Sequence, residues 1–440
     1  MAHRRLYVET YGCQMNVADT DLIFGLFGRD GYVMTDHPED ADVLLVNTCA
    51  VRDNAEQRVY GRVGELKRFK RHGAVLGVVG CMAQRLGAQL LEQVAHVDMV
   101  VGPDGYRTLP ALVAQAQSGV RTAEVEFRSW EHYEDVPPTS RGRVTAFVTV
   151  QRGCNYRCTF CVVPMTRGPE RSRTLADVVT EVRRHADQGV TEVTLLGQTV
   201  NSYNNGHHDF ADLLRATGAV PGIRRVRFTS PHPNDFSDRV VRAMADVEEV
   251  CEHVHLPVQS GSSNVLKRML RRYTREEYLE VVEKLRSAVP NLAISTDIIV
   301  GFPGETDHDF HQTQTLVREV GFDDAFTFKY SVRDGTPAVK IRNHVADDVA
   351  GTRLDALIAT VRDVARAKNV ALVGTSHEVL VEKRARRGDL LQTRSRTNKV
   401  ILIEGPESWI GSYQTVRITG TTGSTFTGAL ETRRELAVLS

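Results

Sequence analysis

Seven cysteines are the residues of this chain most able to do chemistry, and their spacing sorts them into three sets. Cys154, Cys158 and Cys161 lie in TVQRGCNYRCTFCVVP, a Cys-x3-Cys-x2-Cys pattern placed directly after a predicted strand. Three thiolates so close together cannot complete a tetrahedral zinc site or occupy all four irons of a cube. One coordination position stays open, which marks a reactive site rather than a structural one. A zinc knuckle lacking its fourth ligand is the competing reading, although no further Cys or suitably spaced His follows. Cys13, Cys49 and Cys81 are 36 and 32 residues apart, each just past a predicted parallel strand. Taken singly, each is more simply a buried small hydrophobe. Three at equivalent places in consecutive βα units should instead converge on one edge of the sheet, where open α/β sheets bind ligands. Cys251, in VEEVCEHVHLPV, reads as an inert buried thiol.

These positions require elements to hold them. LYVETYGC, DVLLVNTC, AVLGVVGC and HVDMVVG are short apolar runs, each followed by a helical pattern, so residues 4–118 read as a doubly wound parallel sheet. Residues 119–143, with Pro137-Pro138 and no sustained period, read as a linker whose Trp130 and Tyr133 pack on a neighbouring domain. Residues 144–370 resume the alternation with six predicted strands: VTAFVTVQ, VTEVTLLG, RRVRFTS, EHVHLPV, LAISTDIIVG and DAFTFKYS. Six βα units suit a partial (β/α)6 barrel, with its site at the carboxyl ends of the strands. Residues 371–438 carry the strand-like runs EVLVEK, VILIEG, SYQTVRIT and GALETR and read as a small antiparallel β-barrel. The expected class is α/β with this β-barrel appended.

Composition excludes several functions. The chain has 440 residues, 55 basic and 55 acidic, with 41% hydrophobic and 25% charged residues, as in ordinary folded proteins. No apolar run approaches the ~18 residues of a membrane span, and the amino terminus has no signal-peptide pattern, so a cytoplasmic protein is expected. A Gly-x4-Gly-Lys-Ser/Thr phosphate loop is absent, so ATP is not expected. Charge is neutral only on average. Arg141–Arg173 holds seven Arg and one Glu, Ser262–Arg275 holds five basic and no acidic residues, and the last 70 residues hold ten basic and seven acidic. Each patch alone is most simply a solvated face, but the three together suggest a polyanionic partner.

Cys-x3-Cys-x2-Cys with Phe160 before its last Cys resembles the signature of the radical S-adenosylmethionine (SAM) superfamily. The three repeated cysteines resemble the amino-terminal domain of the methylthiotransferases, a radical SAM family with two 4Fe-4S clusters. The resemblance covers essentially the whole chain: a cluster domain over 4–118, a radical SAM domain over 144–370 and a TRAM-like RNA-binding barrel over 371–438. YGCQMN (Tyr11–Asn16), NTCAVRDNAEQRVYGRVGELK (Asn47–Lys67), RGPERSR (Arg167–Arg173), GQTVNSY (Gly197–Tyr203), HLPVQSGS (His255–Ser262) and SRTNKV (Ser395–Val400) are similar to the tRNA-modifying branch. Other branches tend to carry Pro-Lys or Lys-Val where Gln14-Met15 stand. Thr199 replaces a commoner Asn, and Pro169 interrupts an RGRE-like run; neither is a cluster ligand.

The resemblance implies one 4Fe-4S cluster on Cys154, Cys158 and Cys161, whose open iron takes SAM. It implies an auxiliary 4Fe-4S cluster on Cys13, Cys49 and Cys81 that carries the sulfur. One SAM is then the methyl donor and a second the source of a carbon radical. By position, Phe160, Gly197, Gln198, Gln259 and Gly301 would bind SAM, although Gly301 and Gly304 also suit a simple turn. His232 and His255 read as packed rather than ligating. The substrate implied is a tRNA anticodon stem-loop carrying isopentenylated adenosine at position 37, gripped by Arg384, Arg386, Arg387, Arg394, Arg396 and Lys399. An unidentified electron donor and sulfur source are implied, with the enzyme a monomer. Other tRNA adenosines or a ribosomal protein remain alternative substrates, and a non-catalytic iron–sulfur RNA-binding regulator is the alternative from another class.

Overall fold

The apolar runs that precede the cysteines form strands because Val and Leu there are buried on both faces, as a parallel sheet requires. The computed structural model describes residues 3–50, 53–139, 142–386 and 388–431. The amino-terminal sheet has six parallel strands in the spatial order 33–34, 5–11, 43–48, 75–80, 99–101 and 122–124. Helices cover both faces, giving one core around Ile23, Phe27 and Tyr106 and another around Val59, Val63 and Met82. The strand order reverses between Arg5–Tyr11 and Val43–Thr48, which creates the crevice in which such sheets bind ligands.

Residues 119–143 do more than connect. Thr122–Glu124 adds the sixth strand of this sheet, and Tyr133 and Val136 enter its core. Trp130, expected to pack on a neighbouring domain, is 67% exposed. A three-residue strand has too short an alternation to be read in advance.

The central domain has six parallel strands: Thr145–Thr149, Glu192–Leu196, Arg225–Phe228, His253–His255, Ala293–Val300 and Asp324–Lys329. Two three-stranded sheets are joined by the Val226–Val250 bridge. Among the described residues the first and sixth strands do not pair, so the barrel is open along one side. Val193, Leu195, Val226, Phe228, Val254 and Ile298 pack outward in the large core under the helices, so the alternate residues face the barrel interior.

The helix Asp347–Ala371 leads to a closed barrel of strands Ser376–Arg384, Leu390–Ser395, Val400–Glu404, Tyr413–Thr421 and Thr425–Leu430. Leu390–Ser395 was not among the expected runs. One pair, 400–404 with 425–430, is parallel; the rest are antiparallel. Among the described residues no helix is long and apolar enough to cross a membrane.

Candidate active site

The loop Cys154–Cys161 begins where the first barrel strand ends. Gly153 has a φ of 76°, and a Cβ there would collide with the Pro169 carbonyl, so the chain turns on glycine. Cys154 N donates to Gly168 O (3.2 Å) and Cys161 N to Cys158 O (3.0 Å). Thr159 pins the loop to the far side of the barrel, donating from N to Met269 O (3.1 Å) and from Oγ1 to Arg268 O (3.0 Å). Cys154 Sγ lies 3.2 Å from Thr199 Oγ1, and Cys158 Sγ accepts from Arg271 Nη1 (3.4 Å). Burial raises the Cys154 thiol and pushes Cys161 up to about 12. A bare thiolate is therefore disfavoured at Cys161, and a cationic centre is what would hold it ionised.

The second trio sits on the carboxyl edge of the amino-terminal sheet. Tyr11, Thr48 and Gly80 are in register across three neighbouring strands. Cys13, Cys49 and Cys81 follow them by two, one and one residues, so the register fixes their convergence. Cys13 caps the helix Gln14–Arg29, and Cys81 opens the helix Cys81–Leu86. Buried amides lace the edge: Asn16 Nδ2 donates to Asn47 Oδ1 (3.1 Å) and Thr48 O (3.1 Å), and Asn47 Nδ2 to Asn16 O (2.8 Å).

The two trios adjoin. Val162, one residue past Cys161, packs on Ala50, one residue past Cys49, and on Cys81. Arg167 reaches across the same boundary. Its Nε donates to Cys81 Sγ (3.2 Å), and its guanidinium pairs with Asp19 (2.7 Å), which also pairs with Arg152 (3.1 Å). Arg167 is 3% exposed and Asp19 is fully buried. Burial alone would raise the Asp19 carboxyl, but the two guanidinium groups hold it below its ordinary range. Arg167, Asp19, Asn16, Asn47 and Arg271 were not singled out from sequence. Asp19 shares a helix with Met15 and Ala18, which pack on the barrel's Leu196. A carboxylate inside an otherwise buried helix was the available signal.

The donor sets suit thiolate-ligated clusters. Each trio carries a buried guanidinium on one sulfur, which favours an anionic group. The remaining expected SAM contacts lie around the same loop or below it. Gly197 follows the second strand, where a Cβ would stand 2.7 Å from Gln151 Oε1. Gln198 Oε1 is a buried acceptor with no partner among the described residues, which fits an ammonium such as the SAM amino group. Gln259 has a φ of 71° and bridges Ile298 at the end of the fourth strand. Gly301 N donates to Glu305 Oε1 (2.9 Å) just past the fifth strand. Phe160 packs edge-on to Phe302. Cys251 is buried at the other end of the barrel, away from both trios.

The basic segments are placed differently from expectation. Within Arg141–Arg173, Arg143 pairs with Asp21, Arg152 and Arg167 with Asp19, Arg171 with Asp104 and Arg173 with Glu181. These arginines serve ion pairs, four of them joining barrel to cluster domain, and not a polyanion surface. Of the expected RNA contacts, Arg384 and Arg386 are exposed, and Arg387 lies outside the described residues. Arg394 pairs with Glu382. Arg396 binds Glu252 (2.8 Å), Glu248 O (2.7 Å) and Val250 O (2.9 Å), and Lys399 binds Asp323 (3.1 Å). The last two dock the small barrel on the central domain.

Known proteins share both the motifs and the fold. Residues 148–317 match the Radical SAM superfamily, and residues 5–102 match Uncharacterized protein family UPF0004. A tRNA-2-methylthio-N(6)-dimethylallyladenosine synthase from Anoxybacillus flavithermus is 45% identical over 428 residues, covering 94% of this chain and 81% of that protein. The proteins of that name from Geobacter sulfurreducens (46% identical, 95% of each chain) and Clostridium novyi (42%, 97% of each chain) are similar at full length. Among solved structures, the radical SAM methyltransferase TsrM from Kitasatospora setae, with cobalamin and a [4Fe-4S] cluster bound, has a TM-score of 0.59 at 17% identity, covering 77% of both chains. The radical enzyme OxsB has a TM-score of 0.54 at 10% identity, covering 82% of this chain and 56% of that one. These two likenesses concern the fold.

Proposed function

The chain belongs to the tRNA-2-methylthio-N(6)-dimethylallyladenosine synthase family of radical SAM enzymes, and from that premise we propose how its own residues perform the reaction. It is a tRNA methylthiotransferase that uses SAM and two 4Fe-4S clusters to place a methylthio group on C2 of N6-dimethylallyladenosine. In our reading the target is position 37 of the anticodon stem-loop, Cys154, Cys158 and Cys161 hold the SAM-binding cluster, and Cys13, Cys49 and Cys81 hold the auxiliary one. A separate electron donor and sulfur source serve a monomer in the cytoplasm. When bound, the clusters and SAM supply one-electron chemistry, which an adenine C2–H demands because it is neither acidic nor attached to a leaving group.

The protein's part is position and exclusion of water. Thr159 and Gly153 fix the loop that carries one trio, and the register of three strands fixes the other. Arg167 and Asp19 clamp the two together. Gln198 is poised to orient SAM. The single observation that carries this reading is the packing of Val162 on Ala50 and Cys81, which leaves the two trios as neighbours. Cysteines placed as neighbours would let the two clusters, when bound, serve one substrate. Nucleoside mass spectrometry of tRNA from cells lacking the protein tests it. The 2-methylthio derivative should disappear and its N6-dimethylallyl precursor accumulate; unchanged 2-methylthio levels would refute it.

A further inference from the structure

The interior of the open barrel is polar in its lower part, with Phe147 and Leu196 of the first two strands covered by Met15 and Ala18. Glu192, Arg225, Arg227 and His253 line its lower part, where Arg227 pairs with Glu192 (3.0 Å). At middle height His255 contacts Ser295 Oγ through Nδ1 (3.0 Å) and Asp297 Oδ2 through Nε2 (3.3 Å). The sixth strand breaks this pattern. Its inward positions include Phe326, in register with Asp297, and Phe328, in register with Ile299. Ile299 packs in the same apolar cluster as Phe160, which stands between two cysteines of the loop. An apolar track thus runs from the Cys154–Cys161 loop down the inner wall to Phe326.

Phe326 is 51% exposed, although it sits on an inward position of a parallel strand. Its ring meets His255 edge-on, at a centroid distance of 5.8 Å. The sixth strand borders the open side of the barrel, so this face is reachable by a large substrate without unfolding. An aromatic ring left half-bare in the barrel interior, beside a His–Asp pair 3.3 Å apart, has the chemistry of a nucleobase platform.

We propose that Phe326 and the His255–Asp297 pair form the subsite for the target adenine, with the ring of Phe326 covering the apolar N6 substituent. This rests on the function proposed above and names the residue that makes the site prefer an alkylated base. The apolar side chain of the substrate leaves water for the track of Phe326 and Phe328, while the polar pair faces the base edge. A bare adenine would leave Phe326 wet and gain little.

The test is a pair of anticodon stem-loop RNAs, one with N6-dimethylallyladenosine and one with unmodified adenosine at the target, on reconstituted holoenzyme. Wild-type protein should bind the alkylated RNA roughly tenfold more tightly, the scale of removing about two apolar carbons from water. F326A should bring the two Kd values within about twofold of each other by raising only that of the alkylated RNA, and F326L should restore much of the difference. F127A, which removes an exposed ring elsewhere, should leave discrimination intact. Because Phe326 is half-exposed, F326A should keep the wild-type urea midpoint. Discrimination that survives F326A, or F326A weakening both RNAs equally, would overturn the proposal. Wild-type enzyme that makes no methylthiolated product from alkylated tRNA would instead refute the function on which it rests.

Discussion

At the scale of single residues, the proposed function divides the six cysteines into two independent iron sites. Reconstituted protein should hold about eight irons, and replacing Cys154, Cys158 and Cys161 by Ala should leave about half. Iron analysis checks this. Cys13→Ala should still release 5′-deoxyadenosine from SAM but form no methylthiolated product. Full product formation by Cys13→Ala would show that the amino-terminal trio is not the sulfur site. Asp19 makes a separate prediction. It is a fully buried carboxylate between two buried guanidinium groups, and breaking a buried pair from one side costs about 3–5 kcal/mol. Asp19→Asn should lower the denaturant midpoint accordingly. Adding Arg167→Met should recover part of the loss, because two buried cations then no longer face each other across a neutral amide. Fully additive losses in the double mutant would show that Asp19 and Arg167 do not act as a unit.

At the scale of elements, most of what positions the site was legible, and the exceptions have physical causes. The strands before Cys13, Cys49 and Cys81 could be read because a buried parallel strand is an unbroken apolar run. The six barrel strands alternate instead, with apolar side chains toward the helices and polar ones such as Arg225 and Arg227 inward, and were legible as short runs between helical patterns. What sequence could not supply was pairing between side chains distant in the chain. Asp19 and Arg167 are each ordinary in sequence and meaningful only together. The arginines of 141–173 read as a patch for a polyanion because their carboxylate partners at Asp19, Asp21 and Asp104 lie 67 to 148 residues away in the chain. His253 gives this scale a pH test. Burial, with Arg227 beside it, lowers its imidazole to about 3. Because the folded value lies below the unfolded one of about 6.5, the neutral ring contributes stability above pH ~6.5. That contribution falls away as the pH drops toward 3. The urea midpoint should therefore decline between pH 7 and 5, and His253→Gln should flatten the decline. An equal slope in the variant would place the titrating group elsewhere.

At the scale of the molecule, the small barrel docks on the end of the central barrel opposite the cysteines. Arg225 donates to Arg394 O (2.8 Å) and Glu378 O (3.0 Å), and Arg227 to Arg396 O (2.8 Å) and Ser395 O (2.8 Å). These partners meet the amino-terminal ends of the barrel strands, whereas both trios stand at the carboxyl ends. A five-residue strand separates the two levels by roughly 17 Å. An RNA that touches both must run along the flank of the molecule, and the open side beside Phe326 lies on that flank. Deleting residues 371–440 would be a poor test of RNA binding, since it would bare Arg225 and Arg227 and cost stability for unrelated reasons.

Point substitutions separate docking from grip. Arg384 is exposed and paired with the exposed Asp389 and Glu407, and Arg386 is exposed beside it. Surface pairs of this kind contribute little, about 0–1 kcal/mol, so the Arg384 guanidinium can exchange its partners for phosphate. Arg384→Ala with Arg386→Ala should weaken tRNA binding and lower the slope of log affinity against log salt by about 0.7–0.9 for each phosphate that is no longer neutralised. The denaturant midpoint should hold. Arg396→Ala should do the reverse, because it strips donors from Glu248 O and Val250 O, with a stability cost of about 1–3 kcal/mol and little change in salt slope. Affinity measured at several salt concentrations, beside urea titrations of the same variants, distinguishes them. An unchanged salt slope in the Arg384/Arg386 variant would move the RNA grip off this barrel. The next candidates would then be Lys267 and Arg272, because Arg271 is committed to Cys158 and Arg275 to Gln312 O and Glu319.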